Sequence, residues 1–184
     1  LAFKPEFFIQ YLQITDMTQI ENIKMMFYMT LSFYAFLRIS ELLNLRKKDV
    51  IYDTSKNKLI LNIRYSKTDQ VGRGITTYLY NNNKKIYHPL NFIGFLSNLN
   101  DNDKIVDITE DYLRRKLNIV LQQLGLDTKL YSWHSFRRGG ATLASQNHID
   151  PATIKTHGRW LSEAYLLYVD RDQDNAGLQI SDIL

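Results

Sequence analysis

The chain has 184 residues, 45% hydrophobic and 23% charged, which is enough for one domain with a real core and excludes a disordered or fibrous chain. It contains no cysteine, which rules out disulfides and thiolate metal sites and suits a reducing compartment, and no apolar run reaches the length of a bilayer span. The formal net charge of +4 is only mildly basic, but it is gathered at Arg46-Lys47-Lys48, Arg114-Arg115-Lys116 and Arg137-Arg138.

The opening Leu1-Ala2-Phe3-Lys4-Pro5 lacks the apolar stretch and cleavage site of a signal peptide and reads as a cut inside a longer protein. Thr18 followed by Glu21 has the spacing of a capping box and predicts an apolar helix from there to about Phe36. A short second helix follows over 40–45. Then the period changes. Leu59, Leu61 and Ile63 alternate with Ile60, Asn62 and Arg64, as in a strand. Gly72 and Gly74 mark a turn, and residues 75–80 return as a second strand. With 50–52 before them, these segments predict a small three-stranded antiparallel sheet.

Helices resume after Pro89. Asp107 and Glu110 are placed to cap one that runs to Leu124 and stops at Gly125. Residues 135–146 form another despite Gly139-Gly140. Asp150-Pro151 combines an N-cap with proline at the first helical position, and 162–169 is a last short helix. No repeat or low-complexity linker divides the chain. The expected fold is therefore one domain over 1–184, mainly α with a small three-stranded antiparallel β-sheet (α+β).

His134 and Arg137 lie three residues apart, so a helix places both on one face, where they can grip one anion. A capping histidine and a surface arginine show the same spacing, so the company they keep decides. The run Trp133-His134-Ser135-Phe136-Arg137-Arg138-Gly139-Gly140-Ala141-Thr142 resembles the second signature block of the tyrosine recombinases, especially mobile-element and phage-like integrases. Three further stretches resemble the family's other blocks, in the family's order. Phe36-Leu37-Arg38-Ile39-Ser40-Glu41-Leu42-Leu43-Asn44-Leu45 resembles the first, which implies that Arg38 binds the scissile phosphate. An arginine after so apolar a helix also needs a partner, and Glu41 is the candidate. Ser66-Lys67-Thr68-Asp69 is similar to the β-hairpin block and implies Lys67 as general acid for the leaving 5′ oxygen.

His157-Gly158-Arg159-Trp160 with Ser162-Glu163-Ala164-Tyr165-Leu166-Leu167-Tyr168 is similar to the last block, whose tyrosine is the nucleophile. Tyr168 ends the motif and is preferred over Tyr165. In many members the residue that packs on the phosphate stands nine before the tyrosine. Here Arg159 is nine before Tyr168 and Trp160 eight, and Trp160 is favoured by residue type because its indole N–H can donate to phosphate.

The resemblance covers about residues 18 to 170. It implies cleavage and rejoining of double-stranded DNA through a 3′-phosphotyrosyl bond, as in site-specific recombination or integration, with no metal and no cofactor. It also implies a homotetramer on two DNA sites, an N-terminal DNA-clamping domain outside these residues, and a location in nucleus or cytoplasm wherever the target DNA lies, with no membrane partner. Three other readings compete, one of them an unrelated helical structural domain, which would make the four ordered blocks a coincidence. A type IB topoisomerase shares the chemistry but generally carries lysine where His134 stands. An inactive DNA-binding domain of the same fold has no need of the full set Arg38, Lys67, His134, Arg137 and Tyr168.

Asp170, Asp172 and Asp174 imitate the opening of a calcium loop, but Asn175 replaces its glycine and Ser181 its final glutamate. His148 and His157 lack a third ligand, and no phosphate-cradling glycine motif is present. After the polar stretch 169–175, apolar Leu178, Ile180, Ile183 and Leu184 suggest a tail that docks, either on its own chain or on a neighbouring protomer.

Overall fold

In the computed structural model, residues 1–64, 74–163 and 166 are described. The first helix, α1 (Pro5–Ile14), starts with proline at its first position and buries Phe8 and Tyr11. This helix is not among the elements expected from the sequence. Its signal, two aromatics three apart behind a proline, is short, and it packs through a long-range contact: the Phe3 N–H donates to the Ser135 carbonyl at 2.9 Å.

Helix α2 (Ile20–Tyr34) is the centre of the core, with every residue from Met25 to Phe33 buried. Its expected capping box is not formed. Thr18 turns back to Asp16, bonding Oδ1 from its N–H at 2.9 Å and from its hydroxyl at 2.6 Å, while Glu21 pairs with Lys24 and Lys116. A local Asp16 turn has won over the cap. Helix α3 (Ile39–Asn44) follows, within a residue of the expected short helix.

The sheet is the one expected. Strands β1 (Val50–Asp53), β2 (Lys58–Ile63) and β3 (Ile75–Tyr80) run antiparallel in the order β1-β2-β3, with Val50 opposite Leu61 and Leu61 opposite Thr77. Alternation puts Val50, Leu59, Leu61, Ile63 and Leu79 into the core. A 3₁₀ helix (Pro89–Asn98) lies against α2.

Helix α4 (Glu110–Gln123) is capped by the Thr109 hydroxyl, which accepts from the Tyr112 N–H, and not by Asp107, which is taken by Lys24 at 3.1 Å. Helix α5 (His134–Gln146) packs across α2, and its glycine pair permits the approach: a methyl on Gly139 or Gly140 would overlap the carbonyls of Phe3 and Phe33. Trp133, just before it, is buried and donates its indole N–H to Ser32 at 3.0 Å. Helix α6 (Pro151–Gly158) has the expected cap, with Asp150 accepting from the Thr153 N–H at 2.9 Å. The last helix expected over 162–169 lies mostly outside the described residues.

Candidate active site

The site begins where α2 ends. Phe36 adopts φ 48°, and the chain then turns so that Arg38 leads into α3. Glu41, one turn into that helix, is 1% exposed and ties three donors together. Its Oε1 accepts from Arg38 Nη1 at 2.9 Å, and its Oε2 accepts from the Arg38 N–H and from Arg159 Nη2, each at 2.9 Å. The expected Arg38–Glu41 pair is thus present, within a larger arrangement. Burial alone would raise the Glu41 carboxyl, but Arg159 together with the charge and N–H of Arg38 outweighs it and holds the pKa below the usual carboxylate value.

Arg137, in the first turn of α5, is 1% exposed. Its Nη1 donates to the Phe36 carbonyl and its Nη2 to the Gly158 carbonyl at 2.7 Å. The Trp160 ring faces its guanidinium, 3.9 Å from carbon to ring centroid, a cation–π contact. Trp160 reaches that place only because residue 158 is glycine: a Cβ there would run into the indole.

His134 is the first residue of α5 and is exposed at the mouth of the site. Loss of hydration lowers its pKa, and the positive charges of Arg137, Arg114, Arg38 and Arg138 push it the same way. Two arginines of α5, one of α4 and the N-cap of α3 therefore act on one imidazole. Their charge adds to the partial positive charge of the helix start, a combination that favours anions.

Of the residues singled out in the sequence, Arg38, His134, Arg137 and Trp160 are brought together. Arg159 and Trp160 have different surroundings. Arg159 is 4% exposed and donates to the carbonyls of Ala35, Phe36 and His157 as well as to Glu41, so its guanidinium serves as an internal brace. Lys67, Tyr165 and Tyr168 lie outside the described residues. Sequence reasoning missed three contributors: the bracing role of Arg159, the carbonyl of Phe36, and Arg114 on α4. Only the last had a signal, the Arg114-Arg115-Lys116 cluster.

Neither a family model nor a curated protein matches the chain. Solved structures do. The XerH site-specific recombinase bound to its difH substrate superposes with a TM-score of 0.74 at 15% identity, over 98% of this chain and 53% of that one. The XerA recombinase gives 0.71 at 16% over 99% and 65%, and the Tn1549 transposon integrase in complex with circular intermediate DNA gives 0.66 at 14% over 98% and 64%. The fold is that of the tyrosine recombinase catalytic domain, and the chain spans about half to two thirds of each of those structures.

Proposed function

We propose that this chain is the catalytic domain of a site-specific DNA recombinase or integrase that cleaves and rejoins DNA through Tyr168. One observation carries the reading: within a tyrosine recombinase fold, the charges of Arg38 and Arg137 both act on His134 and Trp160 lies over Arg137, although the four are spread over more than a hundred residues of sequence.

Phosphoryl transfer asks mainly for positioning and for cations on the non-bridging oxygens. Arginine suits this because it stays charged and its planar fork matches phosphate. In the proposed reaction Arg38 and Arg137 take those oxygens, and Trp160 keeps Arg137 in plane and offers its indole N–H. The Tyr168 oxygen attacks phosphorus, the bond to the 5′ oxygen breaks, and Lys67 gives that oxygen its proton. A free phenol has a pKa near 10 and attacks poorly. In the proposed reaction the guanidiniums of the site favour its phenolate, and His134, whose pKa is lowered by loss of hydration and by its cationic neighbours, is the proposed hydrogen-bond partner. The 5′-hydroxyl of a partner strand then displaces the tyrosine, which restores the phosphodiester and the free phenol.

Double-stranded DNA is the proposed substrate, with four protomers on two sites and a second DNA-clamping domain completing the grip. Histidine at 134 favours recombination over the topoisomerase reading. The test is covalent capture. Protein incubated with nicked duplex DNA should yield an adduct that survives denaturation, and Tyr168→Phe should abolish it without changing folding or DNA binding. An adduct that persists in Tyr168→Phe and disappears in Tyr165→Phe would move the role to Tyr165.

A further inference from the structure

Phe36 sits two residues before Arg38 at φ 48°, a left-handed conformation that a bulky L residue adopts only with strain. That conformation aims its carbonyl into the site. The oxygen accepts from Nη1 of Arg137 and, at 3.0 Å, from Nη2 of Arg159, so two buried guanidiniums from two other segments rest on one backbone atom. The ring packs edge-on against His157 with centroids 4.7 Å apart and lies tilted against Trp160 at 6.2 Å. It belongs to a small apolar cluster with Ala141, Ile154 and Trp160. Helix α5 comes so close that a Cβ on Gly140 would stand 2.5 Å from the Phe36 ring.

Glycine would reach the same φ without strain. The side chain therefore costs the backbone something, and what it adds is the packing beneath the last block. Resting on the strand-cleavage reading, we propose that Phe36 is a positioning residue with two jobs. Its carbonyl orients the Arg137 guanidinium toward the scissile phosphate. Its ring holds Trp160 down on that guanidinium, at the 3.9 Å stack. Phe36 touches no reacting atom and acts through Arg137 and Trp160.

Three variants, all of which keep the carbonyl, test the ring's job. Phe36→Gly keeps the carbonyl, relieves the backbone and removes the ring. Phe36→Ala removes the ring and keeps the strain. Phe36→Tyr keeps the ring, beside a cavity of about 640 Å³ that Phe36 helps to line. The chain has two tryptophans, so 5-fluorotryptophan labelling gives two ¹⁹F resonances, assigned by Trp133→Phe and Trp160→Phe. The Trp160 resonance should shift or broaden in Phe36→Gly and Phe36→Ala, stay in place in Phe36→Tyr, and do so while the Trp133 resonance holds.

On nicked duplex DNA, single-turnover adduct formation should fall at least ~10-fold in Phe36→Gly with DNA affinity retained, and recover in Phe36→Tyr, the pattern of lost positioning and not of lost binding. Should Phe36→Ala fail to fold, Phe36→Gly, free of the strain, still decides. An unmoved Trp160 resonance in Phe36→Gly, or a wild-type adduct rate in it, overturns the proposal. A wild-type protein that forms no adduct defeats the strand-cleavage reading instead, and the Trp160 resonance then reports alone on whether Phe36 holds that ring.

Discussion

Glu41→Gln offers a direct measure of how the candidate site is held together. The substitution keeps the shape of the side chain and removes its charge, which is 1% exposed and shared between Arg38 and Arg159. A glutamine has one carbonyl oxygen. Placed at Oε2 it can still accept from the Arg38 N–H and from Arg159, but its amide then faces Arg38 Nη1 donor to donor. Arg159, 4% exposed, also loses its counter-charge and is left with neutral acceptors only. Removing one partner of a buried pair costs about 3–5 kcal/mol, and the surviving bonds argue for the lower end, about 3 kcal/mol. With a urea slope of about 2 kcal/mol per molar, the unfolding midpoint should fall by roughly 1.5 M at constant slope. Adding Arg159→Met removes the stranded charge, so the double variant should be more stable than Glu41→Gln alone. A midpoint within ~0.3 M of wild type, or a double variant whose losses simply add, would refute the brace.

Three further outcomes are expected. Arg38→Ala and Arg137→Ala should each lower the rate of covalent adduct formation by about 10²–10³, while EDTA leaves the wild-type reaction unchanged; inhibition by EDTA would overturn the metal-free step. His88 is 1% exposed and burial lowers its pKa to about 4, so between that value and the ordinary 6.5 the unfolded chain binds the extra proton. His88 should therefore contribute stability that is complete above pH 6.5 and fades as pH falls through 4, at most about 3 kcal/mol in all. In urea titrations the gap between wild type and His88→Asn, which preserves the cap that His88 Nδ1 gives the Leu90 N–H, should narrow from pH 7.5 to pH 5, and a constant gap would refute the assignment. Deleting 178–184 should weaken tetramers on paired DNA sites more than binding to one site, and sedimentation showing unchanged tetramers would remove the tail from assembly.

The sheet and α2 were legible because their signals are local: the alternation of Leu59, Leu61 and Ile63 in β2, and a run from Met25 to Phe33 that is apolar except at Thr30 and Ser32. The caps of α2 and α4 were less so. Several oxygen-bearing side chains stand near each helix start, and Asp16 and Lys24 decided between them. At the site, spacing within motifs placed Arg38, His134, Arg137 and Trp160. It gave no access to the Glu41–Arg159 pair, whose members are 118 residues apart. Nor could it place Phe36, since phenylalanine is among the last residues expected at positive φ.

The site rests on a small apolar cluster of its own, separate from the main core. Phe36, Ala141, Ile154 and Trp160 form it, with Ala144 and Leu166 packed alongside, while the large core runs through α2, α5 and the sheet. Small satellite clusters open more readily than the core they adjoin. The same cluster supports Trp160 over Arg137 and receives Leu166, and Tyr168 follows Leu166 by two residues. Two residues of chain reach about 7 Å at most, so whatever fixes Leu166 also limits where the candidate nucleophile can stand. In the proposed reaction, phosphate grip and nucleophile placement are then not independent. A change that loosens this cluster degrades both at once, while one confined to the main core can lower stability and leave their mutual geometry intact.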